Sequence, residues 1–408
     1  MKLRRPRHMC WKISRHLSPK ECSPPGMTPS QNSPLLRFMM SVGGLGLFGL
    51  LITASSGALY VAQGSKLPPG ASPLSWKNPP GFPPPLYNFS SNPLSKEGFE
   101  YGRRLFYDGR LSRDGKFPCS SCHQQFAAFA TYAHDLSHGF NDQFTLRNAP
   151  GLANLVWSSS FHWDGGVNHL EVQPLAPLTA PNEMAESLEN VLFKLNQDPE
   201  YREMNAAAFG TSEITSQSML KALAQFMGML VSANSRYDQM KRGELYFNPE
   251  EQRGYELFKD TCATCHPEPL FTDYSFRNNG MAATSRSADL GRKRVTNDQS
   301  DTHTFKVPSL RNVEVTGPYA HNGRFQTLSS VIDNYRFKIA NDPLVDPLLR
   351  GGILLDEAQK KDLISFLRSL TDRDFVSNTT FEDPVGTVKC RADPVRCSPA
   401  SHSIRSHH

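Results

Sequence analysis

Two short segments constrain this chain more than anything else in it: Cys119-Ser-Ser-Cys122-His123 and Cys262-Ala-Thr-Cys265-His266. Within one helical turn a Cys-x-x-Cys pair can present both thiols to one partner, with the following histidine beneath it. That is the geometry of a covalent c-type haem, held by two thioethers and by the histidine on iron. Zinc is the competing reading, but zinc ribbons space their Cys-x-x-Cys pairs about 15–20 residues apart. Here 143 residues separate Cys119 from Cys262, and a histidine follows each pair. The pattern predicts two haem c groups, one per motif.

The charge balance is uneven along the chain. Residues 1–37 hold eight Lys/Arg and one acid, and the remainder is near neutral, with 36 basic and 38 acidic residues. Nothing in that remainder suggests a nucleic-acid partner. The basic segment leads into an apolar run from Phe38 to Ala62. A basic flank followed by such a run reads as an export signal or an N-terminal membrane anchor, here residues 1–63. Either reading puts the rest of the chain outside the cytoplasm, in the periplasm. Cys390 and Cys397 lie in a polar tail and could pair there as a small loop.

Residues 64–95 are rich in Pro, Ser and Asn and read as a linker and surface arm, and residues 375–408 as a tail without a core. Between them lies an internal repeat. Gly102-Arg-Arg-Leu-Phe106-Tyr-Asp108 precedes the first motif, and Gly254-Tyr-Glu-Leu-Phe258-Lys-Asp260 the second. Arg147-Asn148-Ala-Pro150 and Trp163-Asp164-Gly165 follow the first; Val307-Pro308-Ser-Leu-Arg311-Asn312 and His321-Asn322-Gly323 follow the second. Apolar spacing near 3.6 predicts helices over 184–196, 218–231 and 357–370, the last presenting Leu363, Phe366, Leu367 and Leu370 on one face. The expected fold is mainly α with long loops. It has two cytochrome c-like domains, 96–240 and 241–374, each binding one covalent haem.

Over residues 80–375 the chain resembles the bacterial di-haem cytochrome c peroxidases and their MauG-type relatives. The resemblance rests on the two motifs, on Phe161-His-Trp163-Asp164-Gly165 and on Pro181-Asn-Glu183-Met184. It implies roles for particular positions. Trp163 matches a tryptophan between the haems. Gln173, ten residues on, matches a glutamine of the peroxide pocket, and Glu183, ten further, the catalytic glutamate. Pro177 matches a pocket proline of the MauG-type members. Asn148, Thr316 and Pro318 match a calcium site between the domains. Apart from the resemblance, Glu183 reads as a helix-start charge, Trp163 as core and Asn148 as a turn cap. The chemistry also stands by itself. Peroxide cleavage needs an open iron position, and a base that takes a proton from one oxygen and returns it to the other.

By the resemblance, the haem on His123 meets peroxide and the haem on His266 relays electrons. His138 is the candidate distal ligand of the first haem, with His134 competing; its distance to Asn148 is two residues longer than the family pattern. A loop-bonding histidine is the alternative. For the second haem the peroxidase choice is methionine, yet the last methionine is Met281. MauG-type members place a ligating tyrosine where Tyr335 stands, so Tyr335 is the candidate, against a tyrosine merely packed on a helix face. His321 aligns with Trp163 in the repeat and is expected to hydrogen-bond near the second haem. The function implied is reduction of hydrogen peroxide with electrons from a small cytochrome c or cupredoxin. The alternatives are a MauG-type oxidase acting on a partner protein and a di-haem electron carrier. A homodimer is left open.

Overall fold

The computed structural model describes residues 66–281 and 289–386. The apolar run Phe38–Ala62, and Cys390 and Cys397, lie outside the described residues. Among the described residues no helix is long and apolar enough to cross a membrane. The fold is mainly helical, and the one sheet among the described residues pairs β1 (Phe276–Arg277) antiparallel with β2 (Phe305–Lys306).

The first half is organised by α1 (Lys96–Phe106), α2 (Leu188–Gln197), α3 (Pro199–Phe209) and α4 (Ser216–Gly228). Ser95 caps α1 by accepting from the Gly98 amide, and Thr215 opens α4 with a capping box to Ser218. The helices α1 and α4 pack so closely at Gly102 that a Cβ there would lie 1.9 Å from the Ala222 carbonyl oxygen. Phe99, Leu105, Phe106, Phe129 and Phe226 form the core around that crossing. Each buried side chain of this size contributes about 1.5–3 kcal/mol.

The second half repeats the device. After α5 (Arg236–Lys241), the helix α6 (Pro249–Thr261) starts at an Asn248–Glu251 capping box with Pro249 in its first turn. It packs on α8 (Glu357–Ser369), and α7 (Leu328–Phe337) lies before it in the chain. At Gly254 a Cβ would lie 2.0 Å from the Asp362 carbonyl oxygen, and Phe258, Phe271, Phe366, Leu363 and Leu370 make a second core. The repeat read from the sequence is therefore a repeat of helix crossings.

Three sequence boundaries move. The helix expected from Met184 starts at Leu188, because the Ser187 side chain accepts from the Asn190 amide and fixes the first turn there. The helix expected over 218–231 runs Ser216–Gly228, set by the Thr215 cap. The tail expected from 375 is not without a core at its start: Phe375 and Phe381 are buried against Phe129 in the first half. Their apolar rings are too few for the sequence pattern to reveal, but the first core needs them.

Candidate functional site

Both motifs form the single helical turn that the spacing demands. The His123 amide donates to the Cys119 carbonyl and the His266 amide to the Cys262 carbonyl, each at 3.0 Å. The imidazoles are oriented alike: Nδ1 of His123 meets the Phe129 carbonyl at 2.7 Å, and Nδ1 of His266 meets the Phe271 carbonyl at 2.9 Å. A ring that donates from Nδ1 keeps Nε2 as the ligating nitrogen. Burial holds both imidazoles below the ordinary histidine range, hence neutral. None of the four motif cysteines is paired in a disulfide, and all four line one cavity.

One continuous cavity of about 760 Å³ is lined by both motifs. Free thiols beside a pre-oriented imidazole, twice over in one apolar space, fit a haem on each motif. The cavity also collects the residues singled out in sequence: Trp163, Gln173, Pro177, Glu183, His138, Asn148, Thr316, Pro318 and Tyr335.

Glu183 lies in a turn, not in a helix. Its amide donates to the Ala180 carbonyl at 3.0 Å and its carbonyl accepts from the Phe140 amide at 2.7 Å. The helix that follows begins at Leu188, so the helix-start reading of this acid does not hold. Burial alone pushes the carboxyl above the ordinary glutamate range, and its charge is felt at Cys122 of the first motif. Gly139 makes room for it, since a Cβ there would lie 2.7 Å from the Glu183 Cα. Pro177 accepts from the Met184 amide at 3.1 Å and so closes the same turn.

His138 lines the cavity, whereas His134 is an exposed neighbour whose ring lies 5.5 Å away. Nδ1 of His138 pairs with the Asp142 carboxylate at 2.6 Å, and its ring packs on Phe144.

Trp163 is fixed at both ends. Its Nε1–H donates to the Asn148 carbonyl at 2.8 Å, and its own carbonyl accepts from the Lys306 amide at 2.8 Å. Arg147 bridges Asp164 and Asp289, at 2.6 Å to each, and so ties the Trp163 loop to the second half. The Asn148 side-chain amide donates to the Asp135 carbonyl at 3.0 Å, and Asn148 lines the cavity together with Thr316 and Pro318. His321 stacks on Phe305 at 3.8 Å, and burial pushes it down to about 4.

Tyr335 stands on α7 with its hydroxyl 3.4 Å from the Asn279 side-chain amide, which donates to it. Burial pushes the phenol above its ordinary range, and the hydrogen bond from Asn279 opposes that rise; Tyr335 and both cysteines of the second motif line the cavity. Met281 lines the same cavity.

Arg147, Asp289, His162 and Lys306 were missed as site residues in the sequence reading. Arg147 stood inside the quoted repeat. Asp289 and Lys306 carried no local signal, because their roles depend on contacts with residues more than 100 positions away.

Two pre-oriented Cys-x-x-Cys-His turns on one cavity, with a half-buried acid beside the first, define a redox enzyme of the c-type cytochrome class. The family described as di-haem cytochrome c peroxidase matches over residues 96–245. The methylamine utilization protein MauG of Methylorubrum extorquens is 33% identical over 324 residues, 78% of this chain and 89% of its own. The cytochrome c551 peroxidase of Nitrosomonas europaea is 31% identical over 297 residues, 68% of this chain and 81% of its own. A solved MauG-like protein associated with microbial copper homeostasis has a TM-score of 0.71 at 34% identity, covering 76% of this chain and 99% of that one. The diheme peroxidase BthA from Burkholderia thailandensis, 21% identical, shares the fold with a TM-score of 0.62 over 78% of this chain and 98% of its own. The chain belongs to the di-haem cytochrome c peroxidase family, whose cofactors are haem c.

Proposed function

We propose that this chain reduces hydrogen peroxide on the side of the His123 motif, with electrons entering through the His266 motif from a small cytochrome c or cupredoxin. Cys119, Cys122 and His123 hold one haem, and Cys262, Cys265 and His266 the other. Bound haem supplies the iron that takes up peroxide and the store for the electrons that reduce it. The observation that carries the reading is Glu183: a half-buried carboxyl on the cavity, outside any helix, with no ion-pair partner among the described residues. A carboxyl whose pKa is raised toward the working pH can take a proton from one peroxide oxygen and return it to the departing one. Gln173 orients the peroxide by hydrogen bonding, and Pro177 fixes the turn behind Glu183. Trp163 lies on the electron path between the halves. His138, on the cavity wall and paired with Asp142, would be the histidine held over the first haem at rest, and would have to move aside for peroxide. Asn148 Oδ1 and the backbone carbonyls of Thr316 and Pro318 would hold a calcium ion, which would tie the two halves together at the cavity. Export to the periplasm rests on the basic segment and the apolar run at the N-terminus.

The test mixes the holoprotein with peroxide and a reduced small cytochrome. Steady oxidation of the cytochrome, lost in Glu183→Gln, is the expected result. A parent protein that turns over no faster than Glu183→Gln in any redox state would leave an electron carrier.

Tyr335 favours a second reading, a MauG-type oxidase that acts on residues of a partner protein. If Tyr335 held the second haem's iron, its phenolate would disfavour the ferrous state and so work against electron supply from a small cytochrome. A persistent absorbance change after peroxide, with little cytochrome oxidised, would select that reading.

A further inference from the structure

Lys306 is an anomaly in the cavity wall. It stands on β2, half-buried, with its ammonium donating to the buried Ser160 carbonyl and reaching the Ser158 hydroxyl at 3.4 Å. Both are neutral oxygens, and an ammonium has three donors. Lysine is almost never buried unless an anion pairs with it. Asp164, the acid whose charge reaches Lys306, is already committed to Arg147 at 2.6 Å and to the Gly166 amide at 3.0 Å. Burial accordingly pushes the lysine down to about 8.

His162 is a second anomaly on the same wall. Its Nε2 is buried with no hydrogen-bond partner among the described residues. Its backbone φ is +65°, in the left-handed region that costs a side-chain-bearing residue energy and recurs at functional sites. The positive charge of Lys306 is felt at His162, and both side chains line the cavity. An ammonium that meets only neutral oxygens and the Phe161 ring at 5.9 Å, and an imidazole nitrogen on the wall of the same cavity, could both serve an anion with two oxygens. The cavity's proposed occupant carries such anions, because haem has two propionate carboxylates.

We infer that Lys306 and His162 together hold a haem propionate. The inference rests on the haem-binding reading of the cavity, and it makes both of them positioning residues. The Lys306 amide also donates to the Trp163 carbonyl, so the residue that grips the propionate sets the height of the Trp163 loop as well.

The test uses holoprotein with Lys306→Met, which keeps the side-chain length and loses the charge, and Lys306→Arg, which keeps the charge. Pyridine haemochrome confirms full haem content in each. Without the cation the propionate charge is uncompensated and the ferric state gains. In a spectroelectrochemical titration one haem's ferric/ferrous ratio should shift about tenfold, a fall of ~59 mV for a one-electron couple. Lys306→Arg should restore it. The propionate bending band in resonance Raman should move in Lys306→Met and, to a lesser extent, in His162→Phe. Unchanged potentials and an unchanged band in Lys306→Met overturn the inference. If Lys306→Met does not fold, the parent decides: a propionate band that fails to shift on transfer to D₂O overturns it. Peroxide turnover is read separately. A responsive band in a parent without turnover would sink the proposed function and leave the propionate assignment standing.

Discussion

The helices α1 and α6 open the two halves in the same way. Each carries a glycine pressed against the backbone of a partner helix, Gly102 on Ala222 and Gly254 on Asp362, and each is followed by a phenylalanine buried in its core. Each leads to a Cys-x-x-Cys-His turn whose imidazole is oriented by a backbone carbonyl. The halves part company elsewhere on the cavity wall. The first sets an acid there, Glu183, with its carboxyl raised by burial. The second sets a phenol, Tyr335, backed by Asn279. One scaffold thus carries a carboxyl on the cavity wall of one half and a phenol on that of the other. The division of labour comes from residues on the loops and on α7, while the repeated helix crossings stay constant.

The sharpest way to break that division is Glu183→Gln. General acid–base catalysis is worth about 10²–10⁴-fold, and peroxide turnover should fall by that factor with haem content unchanged. In the parent, turnover should rise with pH through a pKa above the ordinary glutamate value, because burial opposes ionisation. That limb should vanish in the variant. Stability runs the other way. The folded state binds this proton more tightly, so the contribution is complete below the unfolded pKa and lost as pH rises through the folded one. A pH profile that Glu183→Gln leaves intact would move the proton-handling role to another residue.

The likeness of the halves is tested by Gly102→Ala and Gly254→Ala. Each methyl group would arrive about 2 Å from a carbonyl oxygen that cannot move alone. Overpacking of this kind costs about 1–3 kcal/mol, and contact with backbone puts both variants at the upper end. Thermal unfolding should show similar losses for the two. A large loss at Gly102 with none at Gly254 would mean that the two crossings are not equivalent supports.

Replacing the phenol sharpens the contrast from the second half. Tyr335→Met should raise the potential of the second haem alone, on the order of 0.1 V within the ~0.8 V that axial ligands span. If Met281, which lines the same cavity, is the ligand instead, Tyr335→Met will leave the potential where it was and Met281→Leu will move it.

What the sequence revealed follows what is local. The motif turns could be read because attachment needs a fixed spacing within one helical turn. The repeat could be read because both helix crossings need glycine at the same place before phenylalanine. Glu183 and Tyr335 could be named through resemblance, but their settings could not: the Ser187 cap that keeps Glu183 out of a helix was read as helix interior. The Arg147–Asp289 clamp and the half-buried Lys306 were invisible because their partners are far away in the chain. The same holds for Phe375 and Phe381, which look like a tail until the first core is seen to lack two rings.

The smallest effect concerns the link between the halves. Trp163→Phe keeps an aromatic ring and removes the Nε1–H that donates to the Asn148 carbonyl. One such bond contributes about 1 kcal/mol, so unfolding should shift only slightly. Each haem's spectrum should stay as in the parent, since neither motif loses a contact. If electrons cross from the second half to the first along this ring, peroxide turnover should fall more than that small loss explains, and rapid mixing should show the second haem oxidised more slowly. Phenylalanine is harder to oxidise than tryptophan, so a ring that only fills space and a ring that carries charge give different results. Unchanged transfer in Trp163→Phe would mean that the halves communicate through another route. The unequal sites would then be joined by the Arg147 clamp and the Lys306 strand as structure alone.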